Sequence, residues 1–144
     1  MNLENLLTAV AHHLAAAGHA AVVDYVPEQR LDELTAPVVV VSPAYTEGDG
    51  PLSEEPSARR VTQQTGRVSV ALIAPLAPPA TVAGHNATLE SLRATLRHAG
   101  LTAYPAARWR RQELIAAPSP EHLRQHGAYL GVFHAEYTLH QPAA

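Results

Sequence analysis

The sequence predicts an α+β fold, in which one mixed or antiparallel β-sheet packs with two α-helices and a long exposed loop separates two of the strands. Three observations predict this class. Two segments place leucines at helical spacing, several β-branched runs end at proline or a polar turn, and a polar stretch between strands is rich in Gly, Pro and acids. A chain of 144 residues fits a single domain, 1–144, because a core of this size buries most of the apolar surface.

The chain begins with an amphipathic segment, NLENLLTAVAHHLAAAG, whose leucines and valine recur at helical spacing. Asn2 is placed to cap this helix and Gly18 to end it. The next run, AAVVDYV (20–26), is a short strand that ends at proline, and EQRLDEL (28–34) allows one or two helical turns.

Two further strands surround the polar stretch. PVVVVS (37–42) is a continuous β-branched run, typical of a strand that is covered on both faces. AYTEGDGPLSEEPSARR (44–60) has almost nothing to bury, so we expect a long exposed loop or a hairpin tip. VTQQTGRVSVALIA (61–74) is a long strand whose second half alternates apolar with polar or small residues.

A second helix and two strands complete the chain. NATLESLRATLRHAG (86–100) carries three leucines on one face and ends at Gly100. A strand, a polar turn region and a closing strand follow, and the closing strand alternates. Its apolar and polar side chains take opposite faces: Tyr129, Phe133, Tyr137 and Leu139 against His134, Glu136, Thr138 and His140. One face is core, and the other is wet or an interface.

Composition excludes several kinds of chemistry. Cysteine is absent, which removes disulfides, thiolate metal sites and cysteine nucleophiles. All ten basic residues are arginine, so Schiff-base chemistry and a phosphate-loop lysine are excluded. No run approaches the roughly 18 apolar residues of a membrane span, and the N-terminus places an acid where a signal peptide needs a positive charge. We expect a soluble protein that the usual export route does not carry.

Charge is divided along the chain. Residues 1–55 contain nine acids and one arginine, whereas residues 56–144 contain nine arginines and four acids. The acidic and basic charges cancel within the fold if strands from the two halves of the chain become neighbours. Otherwise they form two faces of opposite charge. The second arrangement favours head-to-tail contact between copies of the chain. The sequence slightly favours cancellation within the fold.

Nine histidines raise the question of a metal site. EHLRQH spaces His122 and His126 four residues apart, but the segment is short, lacks the HExxH glutamate and offers no evident third ligand. No serine lies in a G-x-S-x-G turn, and the acids of TEGDGP would repel phosphate. We therefore predict no metal, no cofactor and no enzymatic activity. A small histidine-dependent metal enzyme or a ligand-binding domain stays open as the alternative.

The tetrapeptide RWRR (108–111) places three arginines around the only tryptophan. One interpretation is a nucleic-acid strand with a stacking aromatic, helped by Arg59, Arg60 and Arg67. The other is that the tryptophan anchors a packing or subunit contact while the arginines pair with acids, such as those of the 44–55 region. An acidic pI near 6.3 and the enrichment of Trp and Arg at protein contacts favour the second. The predicted interface residues are Arg108, Trp109, Arg110, Arg111, Arg59 and Arg60.

Alternation along a regular strand divides RWRR between two faces. It predicts that Trp109 and Arg111 share one face and that Arg108 and Arg110 share the other. One of these faces would meet a neighbouring chain.

The order of elements resembles that of the tail terminator (tail completion) proteins of tailed bacteriophages. The resemblance covers nearly the whole chain and rests on the opening helix MNLENLLTAVAHHLAAAG, the valine strand PVVVVSP, the acidic loop with the strand VTQQTGRVSVALIAP, the helix NATLESLRATLRHAG and the closing strand GAYLGVFHAEYTLHQ. That family consists of small α+β proteins. It has no catalytic motif, so no residue role is carried over.

The resemblance implies a structural virion protein. Such terminators form a ring, usually a hexamer, that caps the tail tube, stops its polymerisation and presents the tail to the neck and head-completion proteins. The implied partners are other copies of the chain, the tail tube protein, a head-completion protein and, without sequence specificity, the DNA that passes through the lumen. The implied location is the virion tail and neck, assembled in the host cytoplasm. Another neck or head-completion ring protein is the alternative within this class.

Overall fold

The computed structural model describes residues 1–24, 36–45, 48, 50–57, 61–76, 81–116 and 127–142. Within these ranges, two helices and six strands follow one another. In order they are α1 (Leu3–Ala16), β1 (Ala21–Val23), β2 (Val38–Pro43), β3 (Leu52–Ser57), β4 (Val61–Pro75), α2 (Val82–Leu96), β5 (Arg108–Ala116) and β6 (Ala128–Pro142).

The six strands form one mixed sheet in the order β1-β2-β4-β6-β5, and β3 pairs with β4. Only β1 and β2 run parallel; the other pairs are antiparallel. β6 pairs with β4 along its whole length, while β3 pairs with the first half of β4 and β2 with the second half. β2 and β3 therefore lie on one side of β4, and β5 forms the far edge of the described sheet. The predicted α+β class, with one mixed sheet and two helices, is confirmed.

α1 begins and ends close to the residues that the sequence indicated. The side chain of Asn2 accepts a hydrogen bond from the backbone N–H of Asn5 at 3.0 Å, which satisfies one of the free donors of the first turn. Ala17 caps the C-terminus, and Gly18 follows with a φ of +93°, a conformation that glycine adopts without steric cost. The predicted cap and stop of α1 are confirmed.

α2 begins four residues earlier than its leucine pattern indicated. Thr81 accepts a hydrogen bond from the backbone N–H of Gly84 at 3.0 Å, so the helix begins at Val82 rather than at residue 86. It ends at Leu96, before the predicted Gly100, and the positive φ of 56° belongs to His98. The prediction of the helix is confirmed, and its predicted ends are corrected.

The polar stretch 44–60 contains a strand. β3 pairs with residues 61–66 of β4, so the hairpin interpretation of this stretch describes residues 52–57 better than an exposed loop does. The sequence did not indicate this strand because SEEP is acidic and contains a proline, which disfavour a strand in general. An edge strand, however, tolerates both. Glu54 and Glu55 are both exposed.

α1 and α2 pack on the same face of the sheet, which we call the helix face. Large apolar side chains of β6 fill its centre, with Tyr129, Phe133 and Tyr137 fully buried. Glycines let the helices approach closely: a Cβ on Gly66 would lie 2.5 Å from Leu6 Cδ2 of α1. The predicted face of the closing strand is therefore the core.

The valine strand is buried on both sides, as predicted. Val39 and Val41 belong to the core under the helices. Val40, which points to the other side of β2, is only 1% exposed. We call that other side of the sheet the opposite face; it carries Arg67, Ser69 and Ala71 of β4 and His134, Glu136 and Thr138 of β6.

Candidate functional site

The RWRR tetrapeptide opens β5, and a β-bulge divides it. Arg108 pairs with Thr138 and Trp109 with Tyr137, but the next residue of β6, Glu136, pairs with Arg111. The register therefore shifts by one residue between Trp109 and Arg111.

This bulge corrects the predicted distribution of the tetrapeptide over two faces. Trp109 lies on the helix face beside Tyr137, whereas Arg111 lies on the opposite face beside Glu136. Arg108 shares that opposite face with Arg111, because their partners Thr138 and Glu136 are two residues apart. Regular alternation predicted the reverse pairing because it cannot anticipate an extra residue.

A buried carboxylate lies at the centre of the opposite face. Glu136 is 5% exposed, and its two oxygens accept from two arginines. Arg67 Nε donates to Oε1 at 3.0 Å, and Arg111 Nε donates to Oε2 at 2.8 Å. Arg110 Nη1 lies 3.7 Å from Oε2, within ion-pair distance. Three guanidinium groups therefore surround one carboxylate, which leaves positive charge in excess.

Arg67 ties β3 to this cluster. Its side chain is only 14% exposed, and its Nη1 donates to the backbone carbonyl of Gly50 and to Ser53 Oγ, each at 3.1 Å. Arg110 and Arg111, in contrast, keep 54% and 69% of their side-chain surface exposed. Arg67 is thus committed to the fold, whereas the other two guanidinium groups keep donors free for another molecule.

The arginines of β5 have a different acidic partner from the one that the sequence indicated. We expected the acids of the 44–55 region; the pairing residue is Glu136 of β6. Sequence reasoning placed Glu136 on the polar face of the last strand but gave it no role. The available signal was a single acid in a long strand that has no arginine of its own, since a carboxylate that becomes buried in a sheet requires a cationic partner from elsewhere in the chain.

A shallow cleft of about 160 Å³ adjoins the cluster. Besides Arg67, Arg111 and Glu136, it is lined by Glu113 and His134, which are paired across β5 and β6. Burial lowers the pKa of the His134 imidazole below its usual range, and the Glu113 carboxylate partly offsets that shift. The imidazole is therefore neutral near pH 7, and its buried Nδ1 has no hydrogen-bond partner among the described residues.

Trp109 packs within its own chain. It is half-buried against the core, and the ring of His98 lies over it with centroids 4.3 Å apart and planes tilted by 60°. Its buried Nε1 has no hydrogen-bond partner among the described residues. Of the two interpretations of this side chain, packing is therefore observed, and a subunit contact stays a prediction.

Several predicted residues lie outside the described part of the chain. These are Arg59 and Arg60 of the predicted interface and His122 and His126 of the weighed metal pair. Within the described ranges, no three His, Asp or Glu side chains are grouped closely enough to hold a metal ion.

The two edges of the sheet carry opposite charge. β3 presents Glu54 and Glu55, both exposed and without an ion pair among the described residues; we call this the acidic edge. β5 presents the exposed Arg108, Arg110 and Arg111, with one acid, Glu113; we call this the basic edge. Charges from the two halves of the sequence therefore remain partly separated in space.

Neither described helix has the length and apolar character that a membrane span requires. The chain matches no protein-family model, and it has no significant match among curated proteins.

Proposed function

We propose that the protein is a structural component of a tailed-bacteriophage virion: a tail terminator whose copies form a ring, usually of six, on the end of the tail tube. The ring would stop polymerisation of the tube and present the tail to the neck and head-completion proteins. This proposal assigns the chain a role in assembly and no catalytic role.

The observation that carries the proposal is the arrangement of one α+β domain with oppositely charged edges. The elements run from α1 through the paired strands, α2 and the aromatic strand β6, in the order on which the resemblance to terminators rests. A domain whose two edges differ in charge favours heterologous contact between copies, and such contact closes into a ring when the rotation between copies allows it.

The arginines of the basic edge give the proposed ring a second contact. Arg108, Arg110 and Arg111 remain exposed, and arginines that line a lumen attract the phosphates of DNA without reading its sequence. The tail tube protein and a head-completion protein are the further partners in this proposal.

The test is a tube-capping experiment. Purified tail tube protein is polymerised with increasing amounts of the chain, and the products are imaged by negative-stain electron microscopy. We expect rings of fixed diameter at one end of each tube and a mean tube length that falls as more chain is added. An equal amount of Phe133→Ala protein, whose core is disrupted, is the matched control.

Two results would overturn the proposal. One is tubes of unchanged length with no ring at either end. The other is a monomeric chain that binds zinc at one equivalent per copy, which would favour the alternative of a histidine-dependent metal protein. Rings that cap a connector rather than a tube would indicate another neck protein.

A further inference from the structure

The acidic and basic edges lie too far apart to neutralise each other within one chain. β4 and β6 separate β3 from β5, so three interstrand spacings of about 4.8 Å, or about 14 Å, lie between the two edges. Ion pairs require atoms within about 4 Å. Glu54 and Glu55 therefore have no partner on β5 of their own chain.

The two edges nevertheless come close in height at one end of the sheet. The register connects Glu55 through Gln63 to His140 of β6 and Arg108 to Thr138, so Glu55 and Arg108 share the opposite face, whereas Glu54 lies on the helix face. Glu55 and Arg108 thus differ by two residues along the strand direction, a rise of about 7 Å. Two copies placed side by side would bring the acidic edge of one chain near the Arg108 end of the basic edge of the next.

Both edges favour contact through side chains over continuous strand pairing. β5 has register shifts between Trp109 and Arg111 and between Leu114 and Ala116, and such bulges interrupt the regular row of backbone groups at an edge. β3 contains Pro56, which has no N–H to donate. Side chains rather than backbone groups therefore determine what these edges recognise: the charged ones, together with the exposed Leu52 of β3 and Leu114 of β5.

The arginines of the basic edge keep guanidinium N–H donors accessible to another molecule. Arg111 uses its Nε on Glu136 and keeps 69% of its side-chain surface exposed, and Arg110 keeps 54%. Arg108 is exposed and has no ion pair among the described residues. Only one acid of β5, Glu113, offsets these three charges. The surface fits a partner that presents carboxylates.

We propose that the acidic edge of one copy binds the basic edge of the next, with Glu55 pairing across the contact with Arg108 and with Glu54 and Arg110 adding to the attraction between the two edges. This contact deepens the proposed ring function and rests on it, because it identifies the surfaces through which the ring closes. The contact is heterologous: each copy uses two different surfaces, so every copy in a closed ring makes the same pair of contacts.

The test is a charge-swap experiment on the full chain. One variant carries Glu54→Arg and Glu55→Arg, which makes both edges basic; the other carries Arg108→Glu and Arg110→Glu, which makes both edges acidic. We expect each variant alone to lose the ring and sediment near the monomer mass of 15.4 kDa, with a dissociation constant more than tenfold above that of the wild type, because like charges now face each other.

Mixing the two variants distinguishes this contact from others. A basic edge of one variant then meets an acidic edge of the other, so equal amounts should restore a ring of alternating copies with the wild-type mass. Arg97→Glu is the control: this arginine is exposed at the end of α2 and belongs to neither edge strand, and its reversal should leave the ring intact. Thermal unfolding confirms that each variant is folded.

Other results overturn the contact. If both variants form rings alone, or if the mixture fails to restore them, the copies meet elsewhere. If reversal of Arg108 and Arg110 removes binding to duplex DNA and leaves the ring mass unchanged, these arginines serve the nucleic acid instead. A wild-type chain that stays monomeric at every concentration also contradicts the contact. Tube capping without effect of either variant would retain the ring function and reject only these surfaces.

Discussion

The two faces of β6 bury side chains of different chemistry. On the helix face its side chains are apolar and aromatic, and Phe133 and Tyr137 are fully buried under the two helices. On the opposite face the same strand buries a carboxylate, Glu136, at 5% exposure. The first face gains stability from the loss of apolar contact with water. The second requires hydrogen-bonded cations before the carboxylate can be buried at all.

This difference distinguishes the buried side chains that stabilise the fold from the exposed arginines that are accessible to a partner. The large side chains of β6 on the helix face, Tyr129, Phe133 and Tyr137, are all fully buried. Of the three arginines around Glu136 on the opposite face, only Arg67 is largely buried, while Arg110 and Arg111 contact the carboxylate from an exposed position. A buried ion pair contributes little net stability compared with an apolar core, so its value here lies in positioning the arginines of the basic edge.

The largest expected effect is on the helix face. Phe133→Ala removes a fully buried ring from the centre of the core and should lower the free energy of unfolding by about 3–5 kcal/mol. Urea denaturation measures this change. His140→Ala, at an exposed position on the opposite face of the same strand, is the control and should change it by less than about 0.5 kcal/mol. Equal effects of the two substitutions would remove the distinction between the faces.

Glu136→Gln tests the charge on the opposite face. The amide keeps the shape of the side chain but leaves Arg67, which is mostly buried, without its counter-charge. We expect a loss of about 2–3 kcal/mol in the free energy of unfolding. Glu113→Gln, at an exposed position on β5, should cost less than about 0.5 kcal/mol. If Glu136→Gln were as mild as this control, the carboxylate would have no structural role.

Two tyrosines of β6 differ in whether their hydroxyl groups are hydrogen-bonded on the helix face. Tyr129 donates its hydroxyl to Asn86 Oδ1 at 2.7 Å, whereas the buried hydroxyl of Tyr137 has no hydrogen-bond partner among the described residues. Tyr129→Phe should therefore cost about 1 kcal/mol, and Tyr137→Phe should be neutral or slightly stabilising. Chemical denaturation of the two variants in parallel makes the comparison. A larger loss for Tyr137→Phe would reveal a partner for that hydroxyl.

The smallest effect concerns pH. Because burial lowers the pKa of His134 in the folded chain, the unfolded chain takes up a proton first as pH falls below about 6.5. The contribution of this residue to stability is therefore present near pH 7 and is lost as pH falls from that value. His134→Gln should reduce the loss of unfolding free energy between pH 7 and pH 5, and Ser69→Ala, which removes no titratable group from the position paired with His134, should not. An identical pH dependence in both variants would contradict this assignment.

The sequence predicted most of the fold because its signals were local. Leucine spacing and an Asn2 cap indicate α1, and strict alternation separates the two faces of β6. The sequence did not predict β3, because this acidic edge strand forms through its pairing with β4 and its own composition does not favour a strand. The early start of α2 depended on the Thr81 cap, which precedes the leucine pattern.

The candidate site was harder to predict because it depends on a bulge and on a distant partner. The arginines were recognisable from RWRR. Regular strand alternation, however, predicted the wrong face for Arg111, and the observed register with β6 corrects that prediction. Glu136 lies 25 residues from Arg111 and 69 from Arg67. No local pattern brings these three residues together; the order of the strands does.

The most direct test of the central claim is the mass of the chain in solution, measured by sedimentation velocity for the wild type and for the variant with Arg108→Glu and Arg110→Glu. The account predicts a wild-type mass near six times 15.4 kDa and a monomeric variant that still unfolds in one cooperative transition, at some loss of stability because Arg110 no longer pairs with Glu136. The same mass for both proteins would contradict it, because the arginines would then take no part in contact between copies.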